Sequence, residues 1–244
     1  MRKIFNHLFS ETIWSMGYWG TPDDAKLWIE TRSADKNTWH FLDLKTYQLN
    51  QTGQIESNSL QWLTGLKDGG VFLKLRQGKN PGIESLQCYH FPSGTLRYSI
   101  ELNQWTALKG EYLESTQGII DLNSGEFCSE ITPNAADWNI ESPQHFEESQ
   151  PEFKPFAALF EKKFDEKIGK GIDYWEGSDK LIFSYYIYEN AWKNKIRICD
   201  YDFQTLFIDT IAEGEQMGYQ TFQRFQNTLL FIKDKRELFI YADH

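Results

Sequence analysis

The sequence predicts an all-β fold made of five copies of a four-stranded antiparallel unit, and three observations carry that expectation. Aromatic residues make up 16% of the 244 residues, against an ordinary hydrophobic share of 40%, a balance that favours strands over helices. A pattern of strand, polar residue, short turn and second strand recurs along the chain. Two further strand-like runs precede each copy, so the repeating unit is longer than a hairpin.

The recurring hairpins are "WHFLDLKTYQL" (39–49), "LQCYHFPSGTLRYSI" (86–100), "GIIDLNSGEFCSEI" (118–131) and "IRICDYDFQTLFIDTI" (196–211), with a shortened fifth copy, "ELFIYADH", at the C-terminal end. At each corner stands Asp43, His90, Asp121, Asp200 or Asp243. Asp and Ser side chains bond backbone amides two residues on, and Gly supplies positive φ, so these segments suit hairpin corners. "DLNSG" at 121–125 resembles a nucleophile or phosphate loop in isolation, but its recurrence makes it a corner. The interval from Asp43 to Asp243 spans four repeats, a mean period of about 50 residues and close to that of propeller blades.

Working outward along each unit, the first strands are "TIWSMGYW" (12–19), "SLQWLTGL" (59–66), "NQWTALK" (103–109), "KGIDYWEG" (170–177) and "YQTFQRFQ" (219–226). The second strands are "AKLWIETR" (25–32), "GGVFLKLRQ" (69–77), "GEYLEST" (110–116), "DKLIFSYYIY" (179–188) and "NTLLFIKD" (227–234). A four-stranded meander cannot bury both faces alone, but five stacked radially can, which is the β-propeller solution. The fifth copy lacks an outer strand and "RKIFNHLF" (2–9) lacks a partner. Pairing the two closes a single five-bladed domain over 1–244 and removes an open edge.

One insertion interrupts the repeats, from about Thr132 to Gly169. Its first part is polar, acidic and proline-bearing, as in a loop. Its second part reads as a helix near 154–168: Phe156, Leu159, Phe160 and Phe164 share one face, Pro155 suits the first turn and Gly169 suits a stop. That apolar face requires a partner, whether the ring's surface, the mouth of its channel or another chain. The glutamates Glu141, Glu147, Glu148 and Glu152 form a solvated charge run rather than a regular oxygen-ligand loop.

The strand–Asp–turn–Ser/Gly–strand pattern resembles that of the broad β-propeller group with quinoprotein-type and YWTD-type repeats, and is similar to uncharacterised bacterial propeller-like families with no assigned activity. The resemblance implies a fold and carries no catalytic residues. The Gly-His and Trp-Asp dipeptides of WD40 repeats are missing, so their scaffold role is not carried over.

In a propeller the Asp corners fall on one face, while second-to-third-strand loops and inter-blade connections fall on the other. This second face holds "SADKN" (33–37), "GKNPG" (78–82) and "ENAWKNK" (189–195), and irregular loops on a rigid scaffold are where binding resides. The expected function is a non-catalytic binding or interaction module for an unknown protein or small molecule, with Trp192, Trp138 and Trp105 as aromatic contacts. The alternative is a glycoside-hydrolase-like enzyme with Asp173, and more weakly Asp68 and Asp23, at the central channel. That chemistry needs carboxyl groups converging within about 5–10 Å. In a third reading, the helix and acidic loop dock a partner protein.

Thirty-five acidic against 25 basic residues give a net charge of −10, which repels phosphate backbones and anionic bilayers, so neither nucleic acid nor membrane is expected as a partner. Met1-Arg2-Lys3 precedes no apolar leader segment and no run is long and apolar enough to span a bilayer, an expectation of a cytoplasmic protein. Cys88, Cys128 and Cys199 lie far apart in strand-like runs and read as reduced core thiols. The five histidines show no metal-ligand spacing, and no metal or cofactor is expected.

Overall fold

The computed structural model describes residues 1–19, 25–34, 37–55, 60–66, 69–75, 82–90, 93–102, 104–109, 111–130, 140–215, 218 and 221–242. The chain falls into two compact units, Glu11–Trp138 and the pair of segments Met1–Ser10 and Asn139–His244. The N-terminal strand β1 (Arg2–Leu8) belongs to the second of these.

Glu11–Trp138 holds three four-stranded meanders. They are β2 (Thr12–Trp19), β3 (Lys26–Arg32), β4 (Asn37–Asp43) and β5 (Leu49–Ile55); β6 (Leu60–Leu66), β7 (Gly69–Leu75), β8 (Ile83–His90) and β9 (Thr95–Glu101); and β10 (Trp105–Lys109), β11 (Tyr112–Ser115), β12 (Gly118–Asp121) and β13 (Glu126–Cys128). Every neighbouring pair is antiparallel, as short connections require. Strand β7 shows why the sheets stack. Val71 and Leu73 enter a core with Leu86, Cys88, Leu113 and Ile120, while Phe72 points the other way, onto Trp28, Trp39 and Phe41. A strand buried on both faces reads as a continuous apolar run, and "GGVFLKL" is one. Burying each of these large side chains contributes about 1.5–3 kcal/mol.

The second unit holds two five-stranded sheets. In one, β15 (Gln144–Glu147), β16 (Ile168–Glu176), β17 (Leu181–Glu189), β18 (Ala191–Cys199) and β19 (Thr205–Glu213) lie in that order. The other runs β1, β22 (Glu237–Ala242), β21 (Thr228–Lys233), β20 (Phe222–Phe225) and β14 (Ile140–Glu141). The N-terminal strand therefore pairs antiparallel with the last strand, Arg2 opposite Ala242 and Leu8 opposite Glu237. Ile182, Ile196, Ile198 and Ile211 of the first sheet pack on Phe222, Leu229, Phe231 and Phe239 of the second.

The expected corners are one motif. Asp43 Oδ1 accepts the N–H groups of Lys45 (2.9 Å) and Thr46 (2.8 Å), Asp121 Oδ1 that of Asn123 (2.8 Å), and Asp200 Oδ1 those of Asp202 (3.0 Å) and Gln204 (2.8 Å). His90 takes the same place with Nδ1 at 2.9 Å from Ser93 Oγ. The backbone then passes through positive φ at Tyr47, Gly94, Gly125 and Phe203. Asp243 lies outside the described residues.

The insertion differs from expectation in two ways. Its acidic first part supplies β14 and β15, which add a fifth strand to each sheet of the second unit. Sheet edges at β20 and β16 provide backbone partners that local composition does not reveal. The helix α1 spans Phe153–Phe164 and stops before Gly169, because Asp165 takes the left-handed C-cap at φ 53° and its N–H bonds to Phe160 O. Gly169 instead pairs with Tyr186 in β16. Phe153 and Phe160 sink among Ile172, Phe183, Tyr185 and Cys199, so the helix covers the face of the β15–β19 sheet opposite its isoleucine-rich one.

Candidate functional site

In each sheet of Glu11–Trp138 the first strand, and in the β15–β19 sheet the strand β16, carries extra residues close to its start. Trp14 is inserted opposite Glu30/Thr31, Leu63 opposite Val71/Phe72, Thr106 opposite Glu114/Ser115, and Lys170–Gly171 opposite Tyr185/Tyr186. Bulges bend a strand, re-aim side chains and gather beside functional sites. Each lies at the end of its sheet where the chain enters and the second strand finishes. Trp14 is thrown outward there and covered on one face by the Arg32 guanidinium at 4.5 Å, while Arg32 Nε bonds to buried Glu30 at 2.7 Å.

The entry end of the β15–β19 sheet is the most elaborated. Lys170 has φ 62°. Its N–H donates to Glu148 Oε2 (2.8 Å), its carbonyl accepts the Glu148 N–H (3.0 Å), and its Nζ reaches Glu215 O (2.7 Å). Nζ also stands 4.5 Å from the Trp192 ring, which meets Tyr188 edge-on at 5.5 Å. A Cβ placed on Gly169 would lie 2.9 Å from Trp192 Cη2 and 3.6 Å from Glu148 Oε2. Trp192 thus lies over the glycine and leaves little room for a side chain. The expected loop around it is a tight hairpin, with Glu189 opposite Ala191 and Asn190 alone between them at φ 64°.

Beside this shelf an open groove of about 340 Å³ runs between α1 and the start of β16. Its apolar lining is Phe153, Ala157 and Ile168; its charged lining is Glu148, Lys154, Glu161 and Lys167. Lys154, Ala157 and Glu161 recur at helical spacing, which puts them on one side of α1. The helix is anchored next to the groove by Glu166, whose carboxylate accepts from Arg197 (2.9 Å), Tyr185 Oη (2.7 Å) and Lys195 (3.2 Å). Burial of Arg197 opposes its charge, but Tyr185 and Glu166 outweigh it and hold the guanidinium pKa above its ordinary value. Burial, then Glu166, push the Tyr185 phenol up, so it remains a neutral donor.

Asp173, the inner-strand carboxylate favoured by the sequence, is 2% exposed. Oδ1 lies 2.6 Å from His145 Nδ1 on β15, and Oδ2 accepts both the N–H and Oγ1 of Thr221 at 2.8 Å. Both oxygens are therefore engaged in tying β15 and the chain entering β20 to β16. Nearby, Trp175 Nε1 donates to Glu141 Oε2 at 2.6 Å, binding β16 to β14. The acidic run is accordingly divided: Glu141 and Glu148 hold backbone or indole groups in place and do not converge.

Of the tryptophans, Trp105 is half-buried against the Leu66–Ile120 core and Trp192 is half-buried on Gly169. Trp138, Asp23, Asp68 and residues 78–81 of "GKNPG" lie outside the described residues. The groove's charged residues were not singled out by sequence, apart from Glu148; the helical recurrence of Lys154, Ala157 and Glu161 was the available signal. Cys88 and Cys199 are buried free thiols, whereas Cys128 is a half-buried free thiol on the edge strand β13. Burial pushes the Cys199 thiol up to about 11. Among the described residues no helix is long and apolar enough to cross a membrane, and no group of three metal-ligating side chains occurs.

No family model and no curated protein matches the chain. Among solved structures it is similar to a member of the DUF4221 family from Bacteroides vulgatus, at 8% identity and TM-score 0.42, over 98% of this chain and 95% of that one. An uncharacterised protein from Listeria monocytogenes aligns at 9% identity and TM-score 0.33, over 96% and 94%. The WD40 domain of Toxoplasma gondii coronin aligns at 6% identity and TM-score 0.23, over 96% of this chain and 75% of that one.

Proposed function

We propose that the chain is a non-catalytic binding module on a small five-bladed propeller, with the entry ends of its sheets as the binding face. The ring reading is supported by five meanders of one pattern, by strands buried on both faces, and by β1 completing the last sheet. The groove between α1 and the start of β16 carries the functional reading: it shares Glu148 with the shelf on which Lys170 and Trp192 sit. Small-molecule sites are concave and bring polar groups together around apolar surface, and here four charged residues stand around three apolar ones. Asp173 supports the same reading, because a carboxylate whose two oxygens already accept three hydrogen bonds is committed to structure.

The test is a thermal-shift screen of the full chain against sugars, amino acids, short peptides and nucleotides, repeated on Ala157→Trp, which fills the groove. Binding at the groove gives a compound that raises Tm in the parent and not in a folded Ala157→Trp variant. A compound whose shift persists in that variant, or a screen without a shift, contradicts the proposal.

A further inference from the structure

The groove's lining specifies a ligand chemistry, and this inference rests on the groove being the binding site. Two carboxylates, Glu148 and Glu161, and two ammonium groups, Lys154 and Lys167, surround an apolar patch of Phe153, Ala157 and Ile168. All four charged residues are exposed. Lys154, Glu161 and Lys167 form no ion pair among the described residues, although opposite charges share so small a space. Glu148 Oε2 is engaged by the Lys170 N–H, so its second oxygen, Glu161 and the two lysines leave both signs available to a ligand. A purely anionic ligand would meet Glu148 and Glu161, and a purely cationic one Lys154 and Lys167, with like-charge contact opposing either.

We infer that the groove takes a zwitterionic amino acid with an aliphatic side chain: the carboxylate faces the lysines, the ammonium faces the glutamates and the side chain lies on Phe153, Ala157 and Ile168. A groove of about 340 Å³ stands at the small end of ligand sites, which suits a single amino acid. The Glu166–Arg197–Tyr185 network lies behind this wall, so its backbone is held in place without a ligand.

The experiment titrates L-leucine, L-leucinamide and N-acetyl-L-leucine separately into the 15N-labelled full chain and follows the backbone amides of Lys154, Ala157, Glu161 and Ile168. L-leucine should shift these amides saturably, and each blocked compound, lacking one charge, should bind about tenfold more weakly. Glu161→Gln and Lys167→Gln, both at exposed positions, should weaken L-leucine without changing Tm. Equal binding of the three compounds overturns the inference, as does unchanged affinity in both variants. If L-leucine leaves the groove amides unmoved while another compound shifts them, the ligand class falls and the binding module stands. If no compound shifts them, both fall.

Discussion

Replacing Asp173 by asparagine should destabilise the protein by roughly 3 kcal/mol, because three hydrogen bonds are lost or weakened at the carboxyl group and each such change is worth about 1 kcal/mol. The geometry also dictates how the variant rearranges. Thr221 presents a backbone N–H, which can only donate, so the new amide must turn its oxygen toward Thr221 and its NH2 toward His145. His145 Nδ1 must then accept, which forces the ring proton onto the other nitrogen. Asp173→Ala removes the acceptors altogether at a site 2% exposed and should cost about 3–5 kcal/mol. Thr221→Val should cost about 1 kcal/mol in the parent and less in Asp173→Asn, the pair coupling as neighbours do. Urea unfolding followed by tryptophan fluorescence measures all four variants. A value for Asp173→Asn within about 0.5 kcal/mol of the parent would refute the structural role. A gain in stability would point to a carboxylate retained for chemistry, since such groups commonly sit at a cost to stability.

Three further outcomes follow from the same structure. Arg197→Met should lower stability by about 2–3 kcal/mol, since it leaves half-buried Glu166 and fully buried Tyr185 without their guanidinium partner; an unchanged urea midpoint would contradict this. Thiol titration of the native chain at pH 8 should label about one cysteine, Cys128, quickly, with Cys88 and Cys199 reacting only on unfolding; three fast thiols would be incompatible with their burial. At Asp43, burial works to raise the pKa, but the amide hydrogen bonds of Thr46 and Lys45 and the charge of Lys26 outweigh it and hold it below the ordinary value of 3.8. Its ionised form therefore adds stability that is present above that value and lost as the pH falls through the lower folded one. The stability difference between the parent and Asp43→Asn should shrink across that acid range, and a difference that grows on acidification would reverse the assignment.

What was legible in the sequence was whatever depends on local chemistry. Asp43, Asp121 and Asp200 announce their corners because an Asx side chain bonds amides a few residues away, and the alternating runs announce strands because one face must be apolar. The N-terminal strand was legible by elimination, as an apolar segment opposite a repeat that lacked an edge. Strands β14 and β15 were not, because their stability comes from sheet edges remote in sequence rather than from their own polar composition. Gly169 predicts a helix end four residues late, whereas Asp165, a residue able to adopt the left-handed conformation, ends it. Trp192 stands out in the sequence as an aromatic residue in a polar stretch, but its hairpin does not, since Asn190 turns the chain within a single residue. The groove was hidden because its lining combines the residue after β15, a helix and the start of β16, which only folding brings together.

The most direct test of a non-catalytic binding face at the helix groove is hydrogen–deuterium exchange of the full chain with and without a compound that raises its Tm, with the compound recovered afterwards for chemical analysis. A non-catalytic binding face there gives added protection over residues 148–168 and 188–193 and a compound recovered unchanged. Protection confined to peptides outside these ranges, or recovery of a cleaved product, would contradict it.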